Sequence, residues 1–91
     1  MNETIWKFQI ETTDTQFVQM PKDATILCVQ VQNGLGVCLW AQVDPSQPKE
    51  NRCIEIFGTG HAIITANRRY VGTYQLSGGM LVFHAFERLS N

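Results

Sequence analysis

Charge, paired cysteines and helical periodicity are all scarce in this 91-residue chain, and each shortage removes a class of protein. Seven basic and eight acidic side chains leave a net charge of −1. A dedicated nucleic-acid binder is normally basic, so no extended nucleic acid is expected as a partner. The three cysteines, Cys28, Cys38 and Cys53, are odd in number and show no C-x-x-C spacing. They point to free thiols in a reducing compartment and not to a disulfide framework. The start, Met1-Asn2-Glu3-Thr4, lacks the basic residues and apolar run of a signal peptide. No segment approaches the length that spans a bilayer. A cytosolic protein without membrane contact is the expectation. Only two histidines occur, His61 and His84, and no Cys or acidic residue stands from them at a diagnostic metal spacing. No metal and no cofactor is expected.

What the chain does have is alternation. Ile5 to Ile10 sets Trp6, Phe8 and Ile10 against Lys7 and Gln9, and Thr15 to Met20 returns after the turn Glu11-Thr12-Thr13-Asp14. Ile26 to Gln32 and Val37 to Val43 flank the Gly-rich stretch Asn33-Gly34-Leu35-Gly36, the pattern of an antiparallel hairpin. Asp44 to Asn51, with two prolines, reads as a long polar loop. Arg52 to Phe57 is a fifth strand, Ile63-Ile64-Thr65 is either a short strand or a packed loop, and Tyr70 to Leu76 with Met80 to Glu87 form a last hairpin. These segments predict an all-β chain, one domain over residues 1–91. The fold is a small antiparallel β-sandwich or barrel of roughly seven short strands with little or no helix.

Register decides which side chains share a face. A loop Gly34-Leu35-Gly36 with Gly36 left-handed pairs Val31 with Leu39, Val29 with Ala41 and Leu27 with Val43, an apolar surface. The reverse surface then carries Gln30 opposite Trp40, with Gln32, Gln42, Cys28 and Cys38. A large aromatic among glutamines has to be covered, by a second sheet or by a partner. At the C-terminal hairpin, Gly79 left-handed puts Gly72 across from His84, a dent framed by Tyr70 and Tyr74.

Charge is uneven as well. Residues 1–60 hold four basic and seven acidic groups, whereas residues 61–91 hold Arg68, Arg69 and Arg88 against Glu87 alone. Arg52, Arg68 and Arg69 offer forked donors for phosphate or carboxylate. Trp40, Tyr70 and Tyr74 offer stacking surfaces suited to a nucleotide. Ordinary solvated arginines and core aromatics explain the same residues. In Gly58-Thr59-Gly60-His61, two glycines would let amides approach an anion, with His61 adding a charge or a proton. No helix follows and the longer dinucleotide pattern is absent, so a plain turn is the competing reading. His84 is either a site residue or a hydrogen-bonded strand histidine. No nucleophile sits in a strained turn, so no catalytic residue is assigned and no enzyme is expected.

The chain resembles a family of small uncharacterised proteins encoded by phages and prophages. The likeness rests on Ile5-Trp6-Lys7-Phe8, Met20-Pro21, Val29-Gln30-Val31-Gln32-Asn33-Gly34, Cys38-Leu39-Trp40-Ala41, Val43-Asp44-Pro45, Gly58-Thr59-Gly60-His61, Tyr70-Val71-Gly72-Thr73, Gly78-Gly79 and Leu81-Val82-Phe83-His84. It implies a phage origin and expression in a bacterial host cytoplasm, and carries over no residue role. In that setting the expectation is a non-enzymatic binding protein that antagonises anti-phage defence. The concrete version is a homo-oligomer sequestering a nucleotide-derived signal. The alternative is an inhibitor of a host defence protein, or an assembly factor, using the Trp40 face.

Overall fold

The computed structural model describes residues 2–90 and contains seven strands. They are β1 (Thr4–Gln9), β2 (Thr15–Pro21), β3 (Thr25–Gln32), β4 (Gly36–Val43), β5 (Lys49–Gly58), β6 (Asn67–Leu76) and β7 (Leu81–Ser90). Between β6 and β7 lies a single 3-10 turn, Ser77–Gly79, the one helical element among the described residues. All pairings are antiparallel and fall into two sheets, β1-β4-β3 and β2-β5-β7-β6. The two ladders are separate, which selects the sandwich over the closed barrel.

One core joins the sheets. Ile26, Val29, Leu39, Ala41 and Val43 from the first meet Met20, Ile54, Ile56, Tyr74 and Ala85 from the second. Fully burying each large aliphatic among them is worth about 1.5–3 kcal/mol, which makes this layer the main stabilising term. The edge strands β3 and β6 approach tightly at Gly72. A Cβ there would stand 2.8 Å from Val29 Cγ1, inside van der Waals contact, so the approach requires glycine. At the other edge, Pro21 closes β2, where a missing amide hydrogen costs no ladder bond.

Several strand limits differ from the sequence reading. The polar loop is shorter than expected, because β5 starts at Lys49. Asp44 folds the loop into a tight turn, its Oδ1 accepting from Ser46 N at 3.0 Å and Ser46 Oγ at 2.7 Å. These bonds to the ionised form hold its carboxyl below the ordinary value. Residues 61–66 form no strand.

Both hairpin registers also shift. Gly36 is left-handed as expected (φ +89°), but the turn spans Asn33 to Leu35, closed by Leu35 N to Gln32 O at 3.0 Å. Val31 therefore pairs with Val37 and Val29 with Leu39, a displacement of two residues that keeps each side chain on its face. A bulge between Ile26 and Cys28 then breaks the alternation. Ile26 turns into the core at 8% exposure, and Leu27, expected inside, stands out at 44%. Trp40 faces Cys28 instead of Gln30. In the last hairpin the loop runs to Met80, since Leu76 pairs with Leu81, and a second bulge lies between Tyr70 and Gly72. His84 consequently faces Thr73, and Gly72 faces Ala85. The dent across from His84 does not exist.

Candidate functional site

Alternation along β5 sends Arg52, Ile54 and Ile56 inward and Cys53, Glu55 and Phe57 outward. On β7 the outward set is His84, Phe86 and Arg88, paired with Phe57, Glu55 and Cys53. The bulge at Val71 places both Tyr70 and Thr73 on this same outer face, three residues apart. One sheet face thus gathers an aromatic cluster, an ionic cluster and a chain of hydroxyls around an imidazole.

The aromatic cluster is Phe57, Phe86 and Tyr70. Phe86 meets Phe57 edge-on at 5.8 Å and Tyr70 edge-on at 5.4 Å between ring centres. Tyr70 keeps 57% of its surface exposed, so one aromatic ring is presented to solvent on a fixed support. The ionic cluster centres on Glu55, whose side chain is 10% exposed. Its Oε1 accepts from Arg68 Nε at 2.5 Å and its Oε2 from Arg88 Nη1 at 3.2 Å. The Arg68 guanidinium lies over the Phe57 ring at 5.2 Å and donates from Nη1 to Ile64 O at 2.6 Å, which pins segment 61–66 over the sheet. Between them opens a cleft of about 460 Å³ lined by Asp14, Glu55, Phe57, His61, Arg68 and Arg88 among others. Two arginines against two carboxylates leave it without net charge, His61 apart.

The third group is linear. His84 Nε2 lies 2.7 Å from Thr59 Oγ1, His84 Nδ1 lies 2.9 Å from Thr73 Oγ1, and Thr73 Oγ1 lies 2.5 Å from Tyr70 Oη. Both ring nitrogens meet hydroxyls, so a neutral imidazole is satisfied in either tautomer. The chain ends at the Tyr70 hydroxyl on the exposed face.

The sequence candidates separate accordingly. Thr59, His61, Arg68, Tyr70 and His84 come together on this side of the molecule. Gly58 and Gly60 hold the turn: a Cβ on Gly58 would stand 2.8 Å from the His61 ring, and Gly60 has φ +88°. Two amides of that turn are already used, Thr59 N on Val82 O and His61 N on Gly58 O. Arg52 and Tyr74 point to the inner side. Arg52 forms a bidentate pair with Glu87 (2.5 and 3.1 Å) and donates to Ala24 O at 2.8 Å. Glu87 raises the Arg52 pKa further. Tyr74 is 4% exposed, its hydroxyl 2.8 Å from Thr12 Oγ1, and burial pushes that phenol above its usual value. Arg69 is exposed on β6 in register with Glu87. Trp40 lies on the outer face of the other sheet, beside Ile5, Leu27, Cys28 and Gln30.

Residues missed at first are Glu55, Arg88, Phe86 and Thr73. Alternation from Arg52 through Phe57 would have placed Glu55 with Phe57, whereas Thr73 joins only through the bulge. Among the described residues no three of His, Cys, Asp and Glu are grouped to hold a metal ion, and no helix is long and apolar enough to cross a membrane.

Fold and face together define a small all-β domain of two antiparallel sheets with an aromatic and arginine-bearing outer surface. The chain belongs to a domain of unknown function, DUF7352, whose family profile matches residues 1–91. No curated protein and no solved structure matches it.

Proposed function

We propose that this protein is a phage-encoded binding protein that acts in the bacterial cytoplasm against host defence, by holding a nucleotide-derived signal on the outer face of the four-stranded sheet. The observation that carries this reading is the exposed Tyr70 ring, braced by Phe86, at the end of the hydroxyl–imidazole chain and linked through Phe86 to Phe57, which lines the arginine-bearing cleft. An exposed, supported ring suits stacking of a base. The Tyr70, Thr73 and Thr59 hydroxyls suit the polar edge of a base or a ribose. Arg68 and Arg88 bring forked donors to a cleft that Glu55 and Asp14 hold at neutrality, which suits a ligand of low charge and not a polyphosphate. Arg52 and Tyr74 have no part in it, being committed to the interior. The phage and host setting is supported by the resemblance given above.

Calorimetric titration with cyclic and linear nucleotides tests the reading. Binding is expected for compact, singly or doubly charged nucleotides, and Tyr70→Ala should weaken it by at least the ~1 kcal/mol of one stacked base. Heat-silent titrations across the panel, or affinity unaltered in Tyr70→Ala, would overturn it.

A further inference from the structure

The other sheet poses a separate question. Its outer face carries Ile5 and Lys7 of β1, Trp40 and Gln42 of β4, and Cys28, Gln30 and Gln32 of β3, by the observed registers. The bulge in β3 adds Leu27 to this surface. Ile5, Leu27, Cys28, Gln30 and Trp40 line a shallow dish in which Ile5 is 57% and Leu27 44% exposed. An ordinary edge strand blunts its outward side with charge. Here a bulge spends a core position to push a leucine out beside a tryptophan.

We infer that this face is where two copies of the chain meet, packed sheet on sheet about the Trp40 dish. Two observations favour a second copy over a foreign partner. The face has one charge of each sign, Lys7 bonded to Gln32 at 2.7 Å and Glu3 accepting from Gln42 at 2.7 Å, so a copy of itself brings no net repulsion. Its remaining polar groups are chiefly amides, and each glutamine both donates and accepts, which is the self-complementarity a twofold contact requires. Trp at the centre with Leu and Ile around it is the composition of an interface core. The candidate ligand face belongs to the other sheet and stays open in such a dimer, so this inference stands or falls independently of the nucleotide reading.

Sedimentation of the full chain is the direct test. The wild type is expected at twice the 10.3 kDa chain mass at micromolar concentration. Leu27→Glu and, separately, Ile5→Lys should weaken association about 30-fold or more, because each puts a charge against the central Trp40. Both sites are exposed in the single chain, so far-UV circular dichroism and the unfolding midpoint of each variant should match wild type under monomeric conditions. In a Trp6→Phe background, Trp40 emission should move to shorter wavelength as concentration rises. A wild type that remains monomeric, a dimer untouched by both charge variants, or a foreign protein held on this face by a monomer would overturn the inference.

Discussion

Glu87 is the residue whose loss should cost most, because its carboxylate neutralises a cation inside the fold. The Glu87 side chain is 4% exposed and that of Arg52 14%. Arg52 has two further acceptors, Ala24 O at 2.8 Å and, more distantly, Glu50 Oε2 at 3.5 Å. Removing one member of a buried pair typically costs about 3–5 kcal/mol, since the other charge is left desolvated. Glu50 is near enough to take up part of the load, so Glu87→Ala should fall at the lower end, about 3 kcal/mol. A chain of 91 residues is held by roughly 5–14 kcal/mol, so the variant keeps its fold while losing a large share of its margin. In urea, with a slope of about 1–3 kcal/mol/M, the midpoint should drop by about 1–3 M. Replacing both partners by apolar residues, Arg52→Met with Glu87→Leu, should recover most of the loss or exceed wild type, because the desolvation cost goes with the charges. A Glu87→Ala cost below about 1 kcal/mol, or a double variant as unstable as the two single losses added, would refute the reasoning. The same series separates structure from binding. Were Arg52 a phosphate arm, Arg52→Met would abolish ligand heat without lowering the urea midpoint.

Gly72→Ala should destabilise by about 1–3 kcal/mol, as its Cβ would meet the stiff Val29 side chain at 2.8 Å, and Val29→Ala in the same chain should recover part of that; a neutral Gly72→Ala in thermal melts would contradict the close approach. Burial raises the Tyr74 phenol, so the folded chain keeps a proton that the unfolded chain gives up. Its contribution is then complete below pH about 10 and is lost as pH rises through the folded value, so urea midpoints should fall less steeply with alkaline pH in Tyr74→Phe than in wild type. Cys38 is fully buried and burial pushes the Cys53 thiol up, so native labelling near neutral pH should be slow at both. Cys28 should label faster in Leu27→Glu than in wild type, and equal rates by mass spectrometry would count against the paired Trp40 faces.

Alternation was enough to read the strand count, the β3–β4 and β6–β7 hairpins and the inner identity of Val29, Leu39 and Ala41, but β1 and β2, which read as a returning pair, lie in different sheets. It was enough because a half-buried strand writes its burial into every second residue. It could not show Leu27 turning outward. A bulge is one extra residue in a ladder, and in sequence it looks like uninterrupted strand. Tyr74 was misplaced for the same reason: with unbroken pleat it would share a face with Tyr70, and the bulge at Val71 sends it to the core instead. Arg52 misled differently. An arginine beginning a strand looks like a surface cation until the partner strand brings Glu87 against it from 35 residues away.

The bulges at Leu27 and Val71 also connect the fold to both surfaces argued for here, whereas a third irregularity, between Asn67 and Arg68, lies at the end of the β6–β7 ladder. Each lies on the strand where one sheet borders the other, β3 and β6, and the two strands touch at Val29 and Gly72. A regular pleat on β3 would bury Leu27 and leave Ile5 and Trp40 as the apolar groups of this face beside its glutamines. On β6 it would put Tyr70 and Thr73 on opposite sides and break the chain from Tyr70 to His84. The edges that must twist to bring two sheets together are therefore also the places where one added residue can re-aim a side chain. That coupling places the surface candidates beside the seam of the sandwich, where a change of sequence moves core and surface together.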